Sequence, residues 1–323
     1  MVDSARNKIN LKSLRKNILS VAVTFLLLLV LFTFYPIANF LNDLAKLSAF
    51  QIAVILTGGL FFLLASGIEL YFYYRIYSAR RISMYDMFTL PLVMNLWGHI
   101  LPFQGAFIYN ALYLKSKYLI SVGTNLKVYI FQFACSISIG VMILLWFKIN
   151  NNTIQPIEYF IYILSILIPF FYNKSWWLIQ IFLQKYLPGR FQLDNLSYSE
   201  FSIKKIIFLF FINLMITFIY SLWLHVIAEI LDYKISFVAI LITAILSKVA
   251  LLFRFTPGNI GVNQFAFSGI FVLLGLAASQ GVSISLYVSA AYFCISFTIG
   301  IIFHIINQKY ISLNKIFLRQ NEK

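Results

Sequence analysis

The chain has 323 residues, of which 61% are hydrophobic and only 11% charged, and its net charge is +15. Ordinary soluble domains carry roughly 25% charged residues, so a polar coat cannot be built here and lipid must be the solvent for most of the surface. The basic residues punctuate the gaps between apolar runs instead of forming one arm or face, which argues against a nucleic-acid partner and for cytoplasmic loops beside an anionic leaflet.

In chain order, Arg6, Lys8, Lys12, Arg15 and Lys16 precede the apolar run Ile18–Tyr35 and imitate a signal peptide. The run is longer than an ordinary signal core, and Pro36–Phe40 offers no small-residue cleavage site, so it reads as an uncleaved first span. Membrane-crossing helices are expected at roughly 18–38, 50–72, 128–148, 157–173, 206–228 and 284–306, each about long enough to cross hydrocarbon. Arg75, Arg80 and Arg81, then Lys115, Lys117 and Lys127, then Lys174, Lys185, Arg190, Lys204 and Lys205 mark three inner loops. With basic residues also in the tail (Lys309, Lys315, Arg319, Lys323), both termini are expected in the cytoplasm of a multi-pass cell-membrane protein.

That orientation constrains residues 84–114. Both flanks are inside, yet the segment falls short of the roughly 40 residues that two crossings need. Pro91, Gly98, Pro102 and Gly105 interrupt it, and helix interiors resist both residue types. A re-entrant hairpin from the cytoplasm fits best. Residues 235–282 begin and end outside, with Thr256-Pro257-Gly258-Asn259-Ile260-Gly261 near the centre. They read as two short spans or as a re-entrant pair, and at about 48 residues the two-span form is slightly favoured. Between the halves, 174–190 carries Trp176 and Trp177 and is either a helix along the inner surface or a loop helix closing the bundle.

A long helix precedes and follows each broken segment, with the first set starting outside and the second inside. The expected fold is therefore all-α: a polytopic transmembrane bundle with broken or re-entrant helices, one integral membrane domain over 1–323, and inverted-topology repeat halves at 50–173 and 204–306.

No nucleotide loop, dinucleotide turn, zincin or nucleophile-elbow motif is present, and nothing calls for a cofactor or metal. Cys135 and Cys294 lie in apolar runs without metal-ligand spacing. Of three histidines, His99 stands out because it precedes the break at Pro102, while His225 and His304 read as packing residues. Glu69 reads as an interfacial partner of Arg75. Intramembrane charge is costly and by default marks function; Lys248 and Arg254 are the strongest cases. Pro257 ends a helix, Gly258 and Gly261 admit close backbone approach, and a helix restarting near Asn259 would offer free N–H groups to a phosphate, with the Arg254 fork beside it. The competing reading makes Arg254 an inner-loop positive charge towards which Lys248 reaches.

Leu101-Pro102-Phe103-Gln104-Gly105, followed by Tyr113-Leu114-Lys115, resembles the first motif of the lysylphosphatidylglycerol synthase transmembrane-region family, also called flippase-like. Thr256-Pro257-Gly258-Asn259-Ile260-Gly261-Val262-Asn263-Gln264 resembles its later Pro-Gly-Gly-x-Gly-x-Arg-Glu motif. Asn263 and Gln264 stand where members commonly carry Arg and Glu, and Gln104, Ala106 and Asn110 stand where charge is frequent. The resemblance thus implies hydrogen bonding to a polar headgroup, not ion pairing, at those positions. It implies movement of phospholipids or lipid-linked saccharides between leaflets in envelope biogenesis, without enzymatic activity; the aminoacylation of lipid carried out by two-domain members is not expected. Partner proteins of envelope synthesis are compatible with it, and the oligomeric state is open. Two other readings stand beside it: a glycosyltransferase using a polyprenyl-phosphate donor, for which Glu229 and Asp232 are the acidic candidates, and a scaffold of an envelope-synthesis complex.

Overall fold

The computed structural model describes residues 37–78, 81–101, 105–150, 203–250 and 256–307, with isolated positions between 159 and 169. The expected span at 18–38 lies almost wholly outside these residues, as do most of 157–173 and the inner segment 174–190. Among the described residues every regular element is helical.

Among the described residues, four helices are long and apolar enough to cross a membrane. They are α2 (Ala49–Tyr77), α5 (Val122–Asn150), α6 (Ile203–Ile230) and α9 (Ala278–Ile295), the last continuing through a π turn (Ser296–Gly300) into α10 (Ile301–Asn307). Each covers an expected span, and α9 starts six residues before the limit read from hydropathy because Ser283 and Ser285 are buried against the bundle while remaining helical. A short helix α1 (Ile37–Lys46) precedes them; the sequence reading left it as a gap, although Ile37, Phe40, Leu41 and Leu44 recur at helical spacing. Its Phe40 packs on Tyr287 at 5.1 Å between ring centroids.

The two irregular segments form helix pairs. Within residues 84–118 lie α3 (Met84–Ile100) and α4 (Gly105–Tyr118); within 237–273 lie α7 (Phe237–Ala250) and α8 (Val262–Leu273), with a 3-10 turn (Pro257–Asn259) before α8. At 1.5 Å per residue, α8 is only about 18 Å long, short of the ~30 Å hydrocarbon core. Pro91 is carried inside α3.

α2 and α6 run antiparallel through the middle. Trp223 Nε1 of α6 donates to the Ile55 carbonyl at 3.0 Å near the start of α2, and Asn213 Nδ2 donates to Glu69 Oε1 at 2.6 Å near its end. The indole lies over Gly59, where a Cβ would stand 2.9 Å from its ring, so that glycine sets the crossing distance. One apolar core gathers Tyr73, Tyr74, Val93, Tyr113, Phe131 and Leu209 around the α3–α4 pair. The other gathers Ile55, Trp223, Ile240, Phe267, Phe271 and Tyr287 around the α7–α8 pair, towards the opposite end of α2 and α6.

Helix neighbours follow the same scheme in both halves. α2 packs on α3, α3 on α4, α4 on α5 and α2 on α5; likewise α6 packs on α7, α7 on α8, α8 on α9 and α6 on α9. Across the halves, α5 packs on α7 and α3 packs on the π turn that continues α9.

A polar clamp joins the two ends of the α3–α4 pair. Ser83 caps α3, and Asp86 in its first turn is fully buried. Its carboxylate receives Lys117 Nζ at 2.7 Å, the Tyr113 hydroxyl at 2.6 Å, the Ser83 hydroxyl at 3.0 Å and the Tyr118 hydroxyl. The rings of Tyr85, Tyr113 and Tyr118 surround the same ammonium at 5.3–5.9 Å. Burial works to raise the Asp86 pKa, but the hydrogen bonds from Lys117, Tyr113 and Tyr118 outweigh it and hold the carboxyl below its ordinary value. A carboxyl depressed by folding contributes stability above its unfolded pKa and loses it as pH falls through the folded value. Asp86→Asn should therefore cost roughly 1–3 kcal/mol in detergent at neutral pH, the range for a charge-assisted hydrogen bond. The difference from wild type should shrink once pH drops below about 4. Denaturation at both pH values reads the two effects.

Candidate functional site

α3 meets the Pro257–Asn259 turn. His99, in the last turn of α3, lies against the turn at Gly258: a Cβ there would stand 2.7 Å from His99 Cδ2 and 3.3 Å from Nε2. Gly258 also has φ +61° and the following Asn259 φ +57°, so two successive residues adopt the left-handed region. The His99 ring is oriented from its own helix, with Nδ1 2.8 Å from the Asn95 carbonyl; facing an acceptor, that nitrogen donates. Nε2 is thereby turned towards the glycine. Phe293 of α9 packs edge-on to the ring at 5.9 Å. Asn95 is held in turn by Ser296 at the start of the π turn, to which its Nδ2 donates at 2.8 Å. Extra turns of this kind concentrate at functional sites.

The restart of α8 is built by local hydrogen bonds. Thr256 Oγ1 donates to the Ile260 carbonyl at 2.8 Å, and the Asn259 backbone N–H to Thr256 O at 3.0 Å. Gly261, at φ +86°, donates its N–H to Gln264 Oε1 at 2.7 Å, and Gln264 Nε2 donates to Ser289 Oγ of α9 at 3.1 Å. Both ends of the Gln264 amide are thus engaged in holding the turn against α9. Asn259 Nδ2 donates to Asn263 Oδ1 at 2.7 Å. Asn259 is 5% exposed, and its Oδ1 has no hydrogen-bond partner among the described residues. A buried polar atom left this way is costly, and in native structures it points to water, a ligand or catalytic use.

His99, Gly258, Asn259, Gly261, Asn263 and Gln264 are therefore brought together around one turn. Gly105 opens α4, where a Cβ would stand 2.4 Å from Leu101 Cβ and 2.7 Å from the Trp97 carbonyl; its smallness lets α4 fold back tightly on α3. Pro257 belongs to the 3-10 turn. Pro102, Gln104 and Arg254 lie outside the described residues.

Lys248 is placed elsewhere. It extends from the end of α7 to Thr217 Oγ1 of α6 at 2.6 Å and faces the charge of Glu69. Glu69 corrects the expectation of a surface pair with Arg75: it is 2% exposed and is held by Asn213 and Gln132. Hydropathy placed it near the inner end of α2, but its partners come from facing helices, which no local pattern reveals. The acidic candidates of the transferase reading sit at the far end of α6. Glu229 has its side chain 65% exposed with His225 Nε2 3.8 Å away, and Asp232 follows in a left-handed turn at φ +56°.

The model of the lysylphosphatidylglycerol synthase TM region matches residues 17–300. The chain belongs to that family. Its match spans nearly all the described helices, including both breaks, and makes this a multi-pass membrane protein of the flippase-like type. No curated protein and no solved structure matches the chain.

Proposed function

We propose that this family member moves, or helps to move, a phospholipid or lipid-linked saccharide between leaflets during cell-envelope biogenesis, without chemical transformation. The observation that carries the reading is the meeting of the end of α3 with the Pro257–Asn259 turn, where Asn259 Oδ1 is buried without a hydrogen-bond partner among the described residues. In transporters built from inverted repeats, broken helices from the two halves meet near the midplane and form the substrate site. The matched packing schemes, the antiparallel α2 and α6, and the cores at opposite ends support such a repeat. The clamp at Asp86 and the shortness of α8 support hairpins that enter from opposite faces and return. For the second pair this favours the re-entrant form over two full spans. Both termini then lie in the cytoplasm.

In this reading the headgroup meets the Thr256–Gly261 turn, where Asn259 supplies an amide, α8 supplies N-terminal N–H groups, and Arg254 supplies a fork for phosphate. Arg254→Ala should abolish lipid movement in reconstituted vesicles at normal insertion, and Arg254→Lys should keep part of it, because charge persists while the bidentate fork is lost. Wild-type movement by Arg254→Ala would remove the phosphate contact from the reading. Replacing Glu229 and Asp232 together by Ala should leave movement intact; loss of function in that double variant, with sugar transfer found in the parent, would establish the transferase instead.

A further inference from the structure

The site at the breaks leaves unexplained a second polar cluster, deep in the bundle and shared by both halves. Glu69 of α2 accepts from Asn213 Nδ2 of α6 at 2.6 Å and is also held by Gln132 of α5. Ser136 of α5 donates to Asn213 Oδ1 at 3.3 Å, and Lys248 of α7 donates to Thr217 Oγ1 of α6 at 2.6 Å. Asn213, Thr217 and Glu69 are each at most 2% exposed. Four helices thus converge on one carboxylate and one ammonium within apolar walls. Lipid-embedded charges are expensive to keep and occur mainly on ion or proton paths.

We propose that Glu69 is a proton-binding site whose protonation, by removing the counter-charge of Lys248, couples lipid movement to the transmembrane proton gradient. This rests on the lipid-moving reading above. In the arrangement described, the carboxylate and the ammonium offset each other. One proton taken from water onto the Glu69 carboxylate gives the neutral acid, and the cluster gains one positive charge. No redox partner and no other leaving group is involved. Lys248 is then an uncompensated cation in a low-dielectric bundle, a state that favours its moving towards water or towards a second anion. Lys248 lies in the last described turn of α7, on the side of the Pro257–Asn259 turn, so a headgroup phosphate is such an anion. Proton and anionic headgroup therefore bind cooperatively, and their joint passage carries no net charge.

The groups facing Glu69 permit this. Tyr73 comes from α2 itself, Cys135 from α5 and Lys248 from α7, while α6 contributes the neutral Asn213 and Thr217. On the α3 side, α2 meets Met87 and Pro91 at Gly67, and on the α9 side it meets Ile295 at Gly59. Lys248 is thus the one cation among these facing groups.

The test uses the full chain in vesicles of phosphatidylcholine and phosphatidylglycerol, with fluorescent phosphatidylglycerol as the probe. Infrared difference spectra between about pH 8 and about pH 5 span the range in which an interacting carboxyl can titrate. They should show a protonated carboxyl band that Glu69→Gln lacks. An imposed pH step should speed probe movement by wild type at least about fivefold, and Glu69→Gln should move the probe at a rate indifferent to the step. Absence of the band from wild type, or its persistence in Glu69→Gln, overturns the proton site. A band without any effect of the step overturns the coupling and leaves the lipid-moving reading standing. A band with no probe movement at all overturns that reading and the coupling with it. Should Glu69→Gln fail to insert, the response of wild type to the step decides.

Discussion

Gly258→Ala is expected to lose lipid movement at least about tenfold while inserting at wild-type levels. Left-handed backbone costs an L residue roughly 1–2 kcal/mol, and each 1.4 kcal/mol is a factor of about ten in a rate. The strain is joined by a contact: the new methyl would stand 2.7 Å from His99 Cδ2, so the ring must leave its place beside the turn. Both effects act where α3 meets the Pro257–Asn259 turn and neither touches the cores. Adding His99→Ala should relieve the contact but not the backbone strain, so the double variant should recover part of the movement at most. Equal loss after Gly269→Ala, where a Cβ would have open space, would show that glycine replacement harms the bundle generally and would remove the special standing of Gly258.

The second large effect concerns Glu69 and Lys248. Removing one member of a buried charge pair typically costs about 3–5 kcal/mol, because the other is left without compensation. Glu69→Leu and Lys248→Met are each expected to destabilise on that scale in detergent denaturation. Together they should cost less than their sum by at least about 1 kcal/mol, since the double variant leaves no orphaned charge. Additivity within about 0.5 kcal/mol would mean that the two charges do not sense each other.

The long helices were legible because lipid makes hydropathy nearly sufficient: α2, α5, α6 and α9 each lie on an expected apolar run. The breaks were legible for a different reason, since Pro257, Gly258 and Gly261 have local conformational consequences wherever they occur. His99 stands out in the sequence only by its place next to the first break, and the structure sets its ring against Gly258. Glu69 was misread because its burial is decided by Asn213 and Gln132 on other helices, 144 and 63 positions away in the chain. Gln264 shows the reverse: its place in a motif suggested headgroup contact, whereas its amide caps Gly261 and reaches Ser289. The helix α1 was passed over because ten residues between two apolar runs look like a loop unless their spacing is examined. The pairing of Asp86 with Lys117 was also missed, and the placement of both at the ends of one expected hairpin was the signal that could have found it.

Dithionite quenching of a headgroup-labelled lipid in vesicles decides whether this protein carries lipid headgroups between leaflets. The purified chain would be reconstituted at increasing protein-to-lipid ratio with fluorescent phosphatidylglycerol or a polyprenyl-phosphate-linked saccharide. The quenchable fraction should rise from the outer-leaflet share towards completion in proportion to the vesicles holding protein, and Gly258→Ala should slow the rise at least about tenfold. Quenching that stays at the outer-leaflet share for every headgroup tested, with the protein folded and inserted, would contradict it.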